Sequence, residues 1–347
     1  MTSRELVYRT LSFQNYNGRV PRQLWYLPWS EMHYPQALSG ILADFHWDIV
    51  SAPCIYERPP KTAGDPYRGG RYTDEWGCRF HGIQDGVFGE VKEPIVGEDD
   101  WSDAGNVHIP DELLSFDADA VNRFCEKSGD FVMCNVAPRP FEQLQFMRGT
   151  ENLLMDLTDP PAFMKEFIKK MHAHYCGLLE KWAKTDVDAL MIMDDWGSQT
   201  SLLISPACWT DLFMPLYRDY IGIGKAHGKK VFMHSDGHTL AIIPYLIGMG
   251  LDALNAQIFC IGLENLAQFR GKLTFWGEID RQRLLPDGTP EEIDAAVDRV
   301  YETLWDGGGC IAQCEFGAMA KPENVRRVFE RWDQKAGCYI TGSERHQ

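Results

Sequence analysis

Lys230-Val231-Phe232-Met233-His234-Ser235-Asp236-Gly237 is an apolar run that stops abruptly in ligand-type polar side chains. It has the length and flanks of a short buried strand. The pattern recurs near the end of the chain, where Cys310-Ile311-Ala312-Gln313 runs into Cys314-Glu315. In barrel enzymes the chemistry sits at the carboxyl ends of the strands. A histidine, a carboxylate and a thiol delivered to one rim make a donor set for a divalent metal.

Six further runs of strand type are legible outside these two. They lie at Leu24–Leu27, Trp47–Ser51, Phe131–Val136, Ala189–Met193, Ala253–Asn255 and Leu273–Trp276. Several are continuously apolar, as parallel strands covered on both faces should be. The intervening helices carry end signals. Asp159-Pro160 is placed to open a helix whose apolar stripe is Met164, Phe167, Ile168, Met171, Tyr175, Leu178, Leu179 and Trp182. Ser205-Pro206 opens another, which Gly228 closes, and Thr289-Pro290-Glu291-Glu292 has capping-box spacing. Lys321-Pro322-Glu323 starts the last one.

Regular alternation of strand and helix gives an α/β fold, and eight strands favour a (β/α)8 TIM barrel. The alternative, an open Rossmann-type sheet, lacks a Gly-x-Gly-x-x-Gly after an early strand. Residues 52–130 do not fit one simple crossover. They are rich in Gly, Pro, Asp and Tyr and read as a long insertion after the second strand, at the catalytic mouth. The whole chain, 1–347, reads as one barrel domain without an internal repeat.

A net charge of −16 argues against a nucleic-acid partner, which needs clustered Lys and Arg. Ten scattered cysteines and a polar start, Met1-Thr2-Ser3-Arg4-Glu5, predict a reduced, cytoplasmic protein. The most apolar stretch, 240–251, is broken by Pro244 and Gly248 and is too short for a bilayer, so no membrane partner is expected.

If the strands are right, one rim receives Asp194 and Asp195 from the fourth, His234 and Asp236 from the fifth, Asn255 and Gln257 from the sixth. It receives Glu278 and Asp280 from the seventh, then Cys314 and Glu315 from the eighth. His234, Asp236 and Cys314 are the predicted zinc ligands, with a fourth position for water, substrate or Glu278. The rival account makes His234 a carboxylate-bonded histidine and Cys314 a small apolar group. Cys310, four residues before Cys314, is assigned to the core. Adjacent Asp194 and Asp195 point to opposite faces, one toward the pocket and one toward the following turn. Glu75 and Trp76 in the insertion close over substrate or pack as a polar-edged loop.

Three stretches resemble the uroporphyrinogen decarboxylase-like superfamily over roughly residues 15–335. They are Asp194-Asp195-Trp196-Gly197-Ser198-Gln199 with Ile204-Ser205-Pro206, the run from Gly228 to Gly237, and Phe275-Trp276-Gly277-Glu278-Ile279-Asp280 with Leu285-Pro286-Asp287-Gly288-Thr289. The resemblance implies a (β/α)8 barrel and two functional branches. True decarboxylases carry an arginine-rich start that holds the substrate's carboxylates. Here Val20-Pro21-Arg22-Gln23-Leu24-Trp25 leads instead into Trp29-Ser30-Glu31-Met32-His33. The zinc-dependent methyltransferase branch is the nearer one. It moves methyl groups between a substrate and a corrinoid protein or a thiol, and binds zinc through His-x-Cys and a later Cys. His234 and Cys314 match two of these positions, and Asp236 stands where the first cysteine would be.

The resulting expectation is a zinc enzyme moving methyl from a small methylated, possibly methoxylated, substrate to a corrinoid protein or thiol. Asp195, Glu278 and Gln257 are the expected catalytic residues. Trp29, Glu75, Trp76, Asp194 and Asn255 are the expected substrate contacts. Two alternatives stay open: a metal-free lyase or decarboxylase using His234 and Asp236 as an acid–base pair, and a non-catalytic barrel binding a small ligand.

Overall fold

The structure is a computed structural model that describes the backbone of residues 1–343 and the side chains of residues 1–335. Eight parallel strands form the central sheet: β1 (Arg22–Tyr26), β2 (Ile49–Ser51), β3 (Phe131–Met133), β4 (Ala189–Met193), β5 (Lys230–Ser235), β6 (Ala253–Ala256), β7 (Thr274–Glu278) and β8 (Cys310–Phe316). They neighbour one another in the order β1-β8-β7-β6-β5-β4-β3-β2. The β1–β2 seam has no ladder. It is tied by Asp48 N–H to the Arg22 carbonyl (3.0 Å) and Gln23 Nε2 to the Ile49 carbonyl (3.3 Å). This is a (β/α)8 barrel, and all eight expected strands are in it.

The apolar residues sort into two layers by strand parity. Ile49, Phe131, Met133, Ala189, Phe232, Ala253, Trp276 and Ile311 fill the barrel interior. The residues that alternate with them along the strands, such as Leu190, Val231, Met233, Leu254 and Phe275, pack outward under the helices. The amino-terminal helix α1 (Ser3–Leu11) is fixed by a capping box of Thr2 and Glu5 and sends Val7 and Leu11 into the interior cluster, plugging the end of the barrel away from the polar rim.

Three aspartates hold that end by one repeated device. Asp48, Asp188 and Asp252 each precede an even-numbered strand, and each accepts the N–H of the preceding odd strand: Arg22, Val132 and Val231, all at 2.8 Å. Each also meets a cation: Arg19, Arg4, or Lys225 with Lys230. A carboxylate so bonded satisfies a strand-end N–H that would otherwise be orphaned. No repeat was read in the sequence because the device uses one residue per unit at unequal spacing.

The helix α2 (Ala162–Ala183) buries the predicted stripe from Met164 to Trp182, with His174 added. It starts two residues later than the Asp159-Pro160 signal, and Asp159 does not cap it. Ser205 and Thr289 do act as caps, accepting the N–H of Cys208 and Glu292. Residues 52–130 contain a three-stranded antiparallel sheet (Gly70–Thr73, Arg79–Gly82, Glu90–Glu93) and the helix Ala118–Lys127. This segment packs on α2: Phe116 stacks on Trp182 with ring centroids 4.4 Å apart, and Trp76 meets Tyr175 edge-on at 5.5 Å. The nine described cysteines are all free. No helix among the described residues is long and apolar enough to cross a membrane.

Candidate active site

Strand parity decides what reaches the mouth. Asp195 shares the parity of Ala189 and Met191, His234 and Asp236 that of Phe232, Glu278 that of Trp276, and Glu315 that of Ile311, so these side chains face the barrel axis. Asp195, His234 and Asp236 bring three potential ligand atoms within 4.8 Å of one another. His234 Nε2 lies 3.4 Å from Asp195 Oδ1 and 3.7 Å from Asp236 Oδ1.

Two loops keep these carboxylates in place. Gly197 N–H donates to the Asp236 carbonyl (3.0 Å) and His238 N–H to the Ser198 carbonyl (2.8 Å), so the loops after β4 and β5 are laced together. Their backbones touch: a Cβ on Gly237, whose φ is +77°, would lie 2.1 Å from the Gly197 carbonyl oxygen. Only glycine suits that backbone and that contact. Asp236 N–H also donates to Asp195 Oδ1 at 2.9 Å.

The histidine is oriented from behind. Asn255 Nδ2 donates to the Trp276 carbonyl at 2.6 Å, so its Oδ1, 2.6 Å from His234 Nδ1, must accept. Nδ1 therefore carries hydrogen, and Nε2 is the atom presented to the two aspartates. Burial opposes a charged imidazole. The Asp195 hydrogen bond and charge, with Asp236 and Asn255, outweigh it and lift His234 to about 9. Although burial works against it, the Asp195 carboxyl is held low by His234, the Asp236 N–H and Arg281.

Arg281, just past β7, was not singled out in the sequence. Its guanidinium bonds Asp236 Oδ2 and reaches Glu278 (3.1 Å) and Glu315 (3.4 Å). Burial raises Glu278 to about 8 against the pull of Arg281. Glu142, from the helix α3 (Pro140–Arg148), was also missed. Burial and then Asp195 raise it to about 7. The signals were present as Glu278-Ile279-Asp280-Arg281 and Pro138-Arg139-Pro140-Phe141-Glu142, each at a strand's carboxyl end.

Several expected roles change. Cys314 is not in the cluster. β8 runs on to Phe316, so Cys314 lies within the strand and shares the outward parity of Cys310 and Ala312. It is wholly buried there, and burial, then Glu278 and Glu315, push its thiol far up. Asp195 takes the place expected for it. Asp194 faces away from the mouth and accepts the N–H groups of Phe141 (3.0 Å) and Glu142 (2.8 Å), capping α3, and the Tyr217 hydroxyl. Asn255 holds His234. Gln257 accepts the Gly237 N–H at 3.2 Å. Trp29 stacks on His33 at 4.2 Å. Trp76 is buried against α2, yet one side of it lines a cavity with Glu75.

Two cavities are lined by loops at this end of the barrel. One of about 290 Å³ lies between the insertion and the loop after β3, and includes Arg139. The other, about 210 Å³, is lined by Gln257, Cys260, Glu278 and Arg281.

The donor set fits a divalent ion. Tetrahedral zinc with bonds of about 2.0–2.1 Å sets its ligands roughly 3.3 Å apart, close to the 3.4 and 3.7 Å between His234 Nε2 and the two carboxylates. Asp236 Oδ1 is buried without a hydrogen-bond partner, an atom that a cation would satisfy. One imidazole and two carboxylates are harder than a thiolate set and select zinc less strongly.

No curated protein matches the chain by sequence. Among solved structures, a methyltransferase from Methanosarcina mazei is similar at TM-score 0.68 and 13% identity, over 96% of this chain and 99% of that one. A xylanase from Thermotoga petrophila RKU-1 is similar at TM-score 0.42 and 11% identity, over 97% and 98%. A B12-independent methionine synthase from Shewanella sp. W3-18-1 is similar at 0.41 and 12%, over 65% and 66%. These likenesses concern the fold. Residues 74–334 match the family model for Uroporphyrinogen decarboxylase (URO-D), and the chain, with its eight-stranded barrel and polar rim, belongs to that family.

Proposed function

We propose that this chain is a methyltransferase-like metalloenzyme in which Asp195, His234 and Asp236 hold zinc. Its substrate is a small methylated, methoxylated compound, and the methyl acceptor is a corrinoid protein or a thiol. The observation that carries the reading is the convergence of three ligand atoms, among them the buried Asp236 Oδ1, which accepts no hydrogen bond. The fold likeness to a methyltransferase is in keeping with it, since the barrel hosts that chemistry, but the site carries the argument.

A metal bound there supplies a Lewis acid for the oxygen that bears the methyl group. The protein's own groups do the rest. Asn255 keeps His234 Nε2 pointed at the rim. Arg281 holds Asp236 by Oδ2, which leaves Oδ1 inward. Glu278 keeps a proton at neutral pH and offers it to the oxygen left when methyl departs. The N–H bond from Gly237 positions Gln257 beside the second cavity.

A second reading has its own observation. Arg281 gives the rim a built-in cation that already meets Asp236, Glu278 and Glu315, so His234 and Asp236 can serve as an acid–base pair of a metal-free lyase or decarboxylase. Elemental analysis of protein purified without added metal separates the two. The first reading expects about one zinc per chain, lost in Asp195→Asn, and methylated corrinoid when a methoxylated donor and a corrinoid protein are supplied. Full activity in stringently metal-depleted protein rejects it.

A further inference from the structure

The cavity on the insertion side holds a guanidinium without a partner. Arg139 lines it, and among the described residues its side chain makes no hydrogen bond and no ion pair within 4.0 Å. Glu142, Glu75 and Asp194 act on it through space without touching it, so its fork of donors stays open to a further carboxylate. Glu75 lines the same cavity and is likewise without a hydrogen-bond or ion-pair partner. The walls between them are aromatic and already fixed against each other. Phe80 meets Phe146 edge-on at 5.1 Å, and Tyr72 and Phe80 lie 5.9 Å apart. Trp76 is held by α2.

Arg139 directly precedes α3, whose Phe141 and Glu142 N–H groups Asp194 accepts. Arg139 is three residues before Glu142, on whose carboxyl Asp195, Arg139, His234 and Asp236 all act after burial.

We infer that this cavity binds a benzoate-sized aromatic carboxylate, its carboxylate paired with Arg139, its ring against the wall of Tyr72, Phe80 and Phe146, and a hydrogen-bond donor on the ring met by Glu75. About 290 Å³ accommodates one substituted ring. Aromatic walls with one cation suit the ring and charge of an aromatic acid, and the acceptors of Asp74 and Glu75 suit a ring hydroxyl. This rests on the proposed methyl transfer for one point only: the substrate would be a methoxylated acid of this class.

Binding is tested apart from catalysis, on the intact chain, by calorimetry and by quenching of tryptophan fluorescence. The probes are 4-hydroxybenzoate, 4-hydroxy-3-methoxybenzoate, the uncharged 4-hydroxybenzamide, and choline as a quaternary ammonium. The acids should bind and the amide should bind at least tenfold more weakly. Arg139→Gln should weaken the acids roughly 10- to 100-fold, as loss of a charged hydrogen bond does, and leave the amide unchanged. Its melting temperature should stay near that of the parent, because the guanidinium has no partner to lose. Arg139→Lys should recover part of the acid binding. Acid and amide binding equally, choline alone binding, no aromatic acid binding, or Arg139→Gln leaving the acids unaffected each overturn the assignment. If 4-hydroxy-3-methoxybenzoate binds through Arg139 but zinc-loaded enzyme never transfers its methyl, the pocket stands and the methyl-transfer reading falls.

Discussion

Replacing Asn255 with Leu tests how the candidate metal centre is built. Asn255 is 1% exposed and sits directly across from His234 in the β5–β6 register. Its amide makes two bonds of 2.6 Å, one accepting from His234 Nδ1 and one donating to the Trp276 carbonyl. Leucine has nearly the same shape and no polar atoms. The variant leaves a ring N–H and a carbonyl unpartnered inside the barrel, each costing about 1–3 kcal/mol, so the loss of stability should be about 2–6 kcal/mol. The effect on metal is separate. Without Asn255 the ring is free to change tautomer or rotate, and Nε2 is no longer committed to the rim. Loss of such an orienting bond typically weakens metal binding about 10- to 100-fold, or about 1.4–2.7 kcal/mol. Zinc titration against a competing chelator reads the second quantity and urea unfolding the first. Asn255→Asp separates them: its carboxylate still accepts from Nδ1, so zinc affinity should hold, while the Trp276 carbonyl loses its donor and stability falls. A folded Asn255→Leu protein that binds zinc within twofold of the parent would falsify the orientation argument. Unchanged unfolding would reject the burial argument as well.

Other outcomes follow from the same geometry. Cys314→Ala should keep zinc stoichiometry and affinity and lose only about 1 kcal/mol of packing. Loss of the metal by elemental analysis would show that Cys314 is a ligand after all. Asp188→Ala removes the acceptor of the Val132 N–H, the Tyr8 hydroxyl and Arg4, and should cost about 3–5 kcal/mol in denaturant unfolding with zinc affinity unchanged. A loss below about 1 kcal/mol would contradict the role given to the three aspartates. Gly237→Ala forces a Cβ onto the Gly197 carbonyl at a positive φ and should displace Asp236, so zinc binding drops steeply even where the circular-dichroism spectrum is retained. Normal zinc uptake by this variant would mean that the two loops are not coupled.

Much of this architecture is written locally. Short apolar runs such as Val231-Phe232-Met233 and Cys310-Ile311-Ala312 are strand-forming and buried wherever they lie, so all eight strands were legible, as were the Ser205 and Thr289 caps. His234 and Asp236 were legible too, because two residues of equal parity at one strand end face the same way. The limits were matters of parity and partnership. Ending β8 at Gln313 put Cys314 on the rim; the strand continues to Phe316, and a displacement of one residue exchanges the faces, so Glu315 points inward and the thiol outward. The same rule sorted Asp194 from Asp195, and only the arrival of α3 showed what Asp194 caps. Asn255 likewise gained its role from a histidine on the next strand. Arg281 owes its importance to carboxylates on β5 and β8, and Arg139 to a cavity closed by residues from the insertion. The sequence by itself determined the barrel, its polar rim and two of the three candidate ligands, because hydrophobic runs and strand ends are local. Tertiary structure alone decided the third candidate ligand, the orientation of the His234 ring and the guanidinium left without a direct contact, because charge pairing and burial depend on segments brought together only by closure of the sheet.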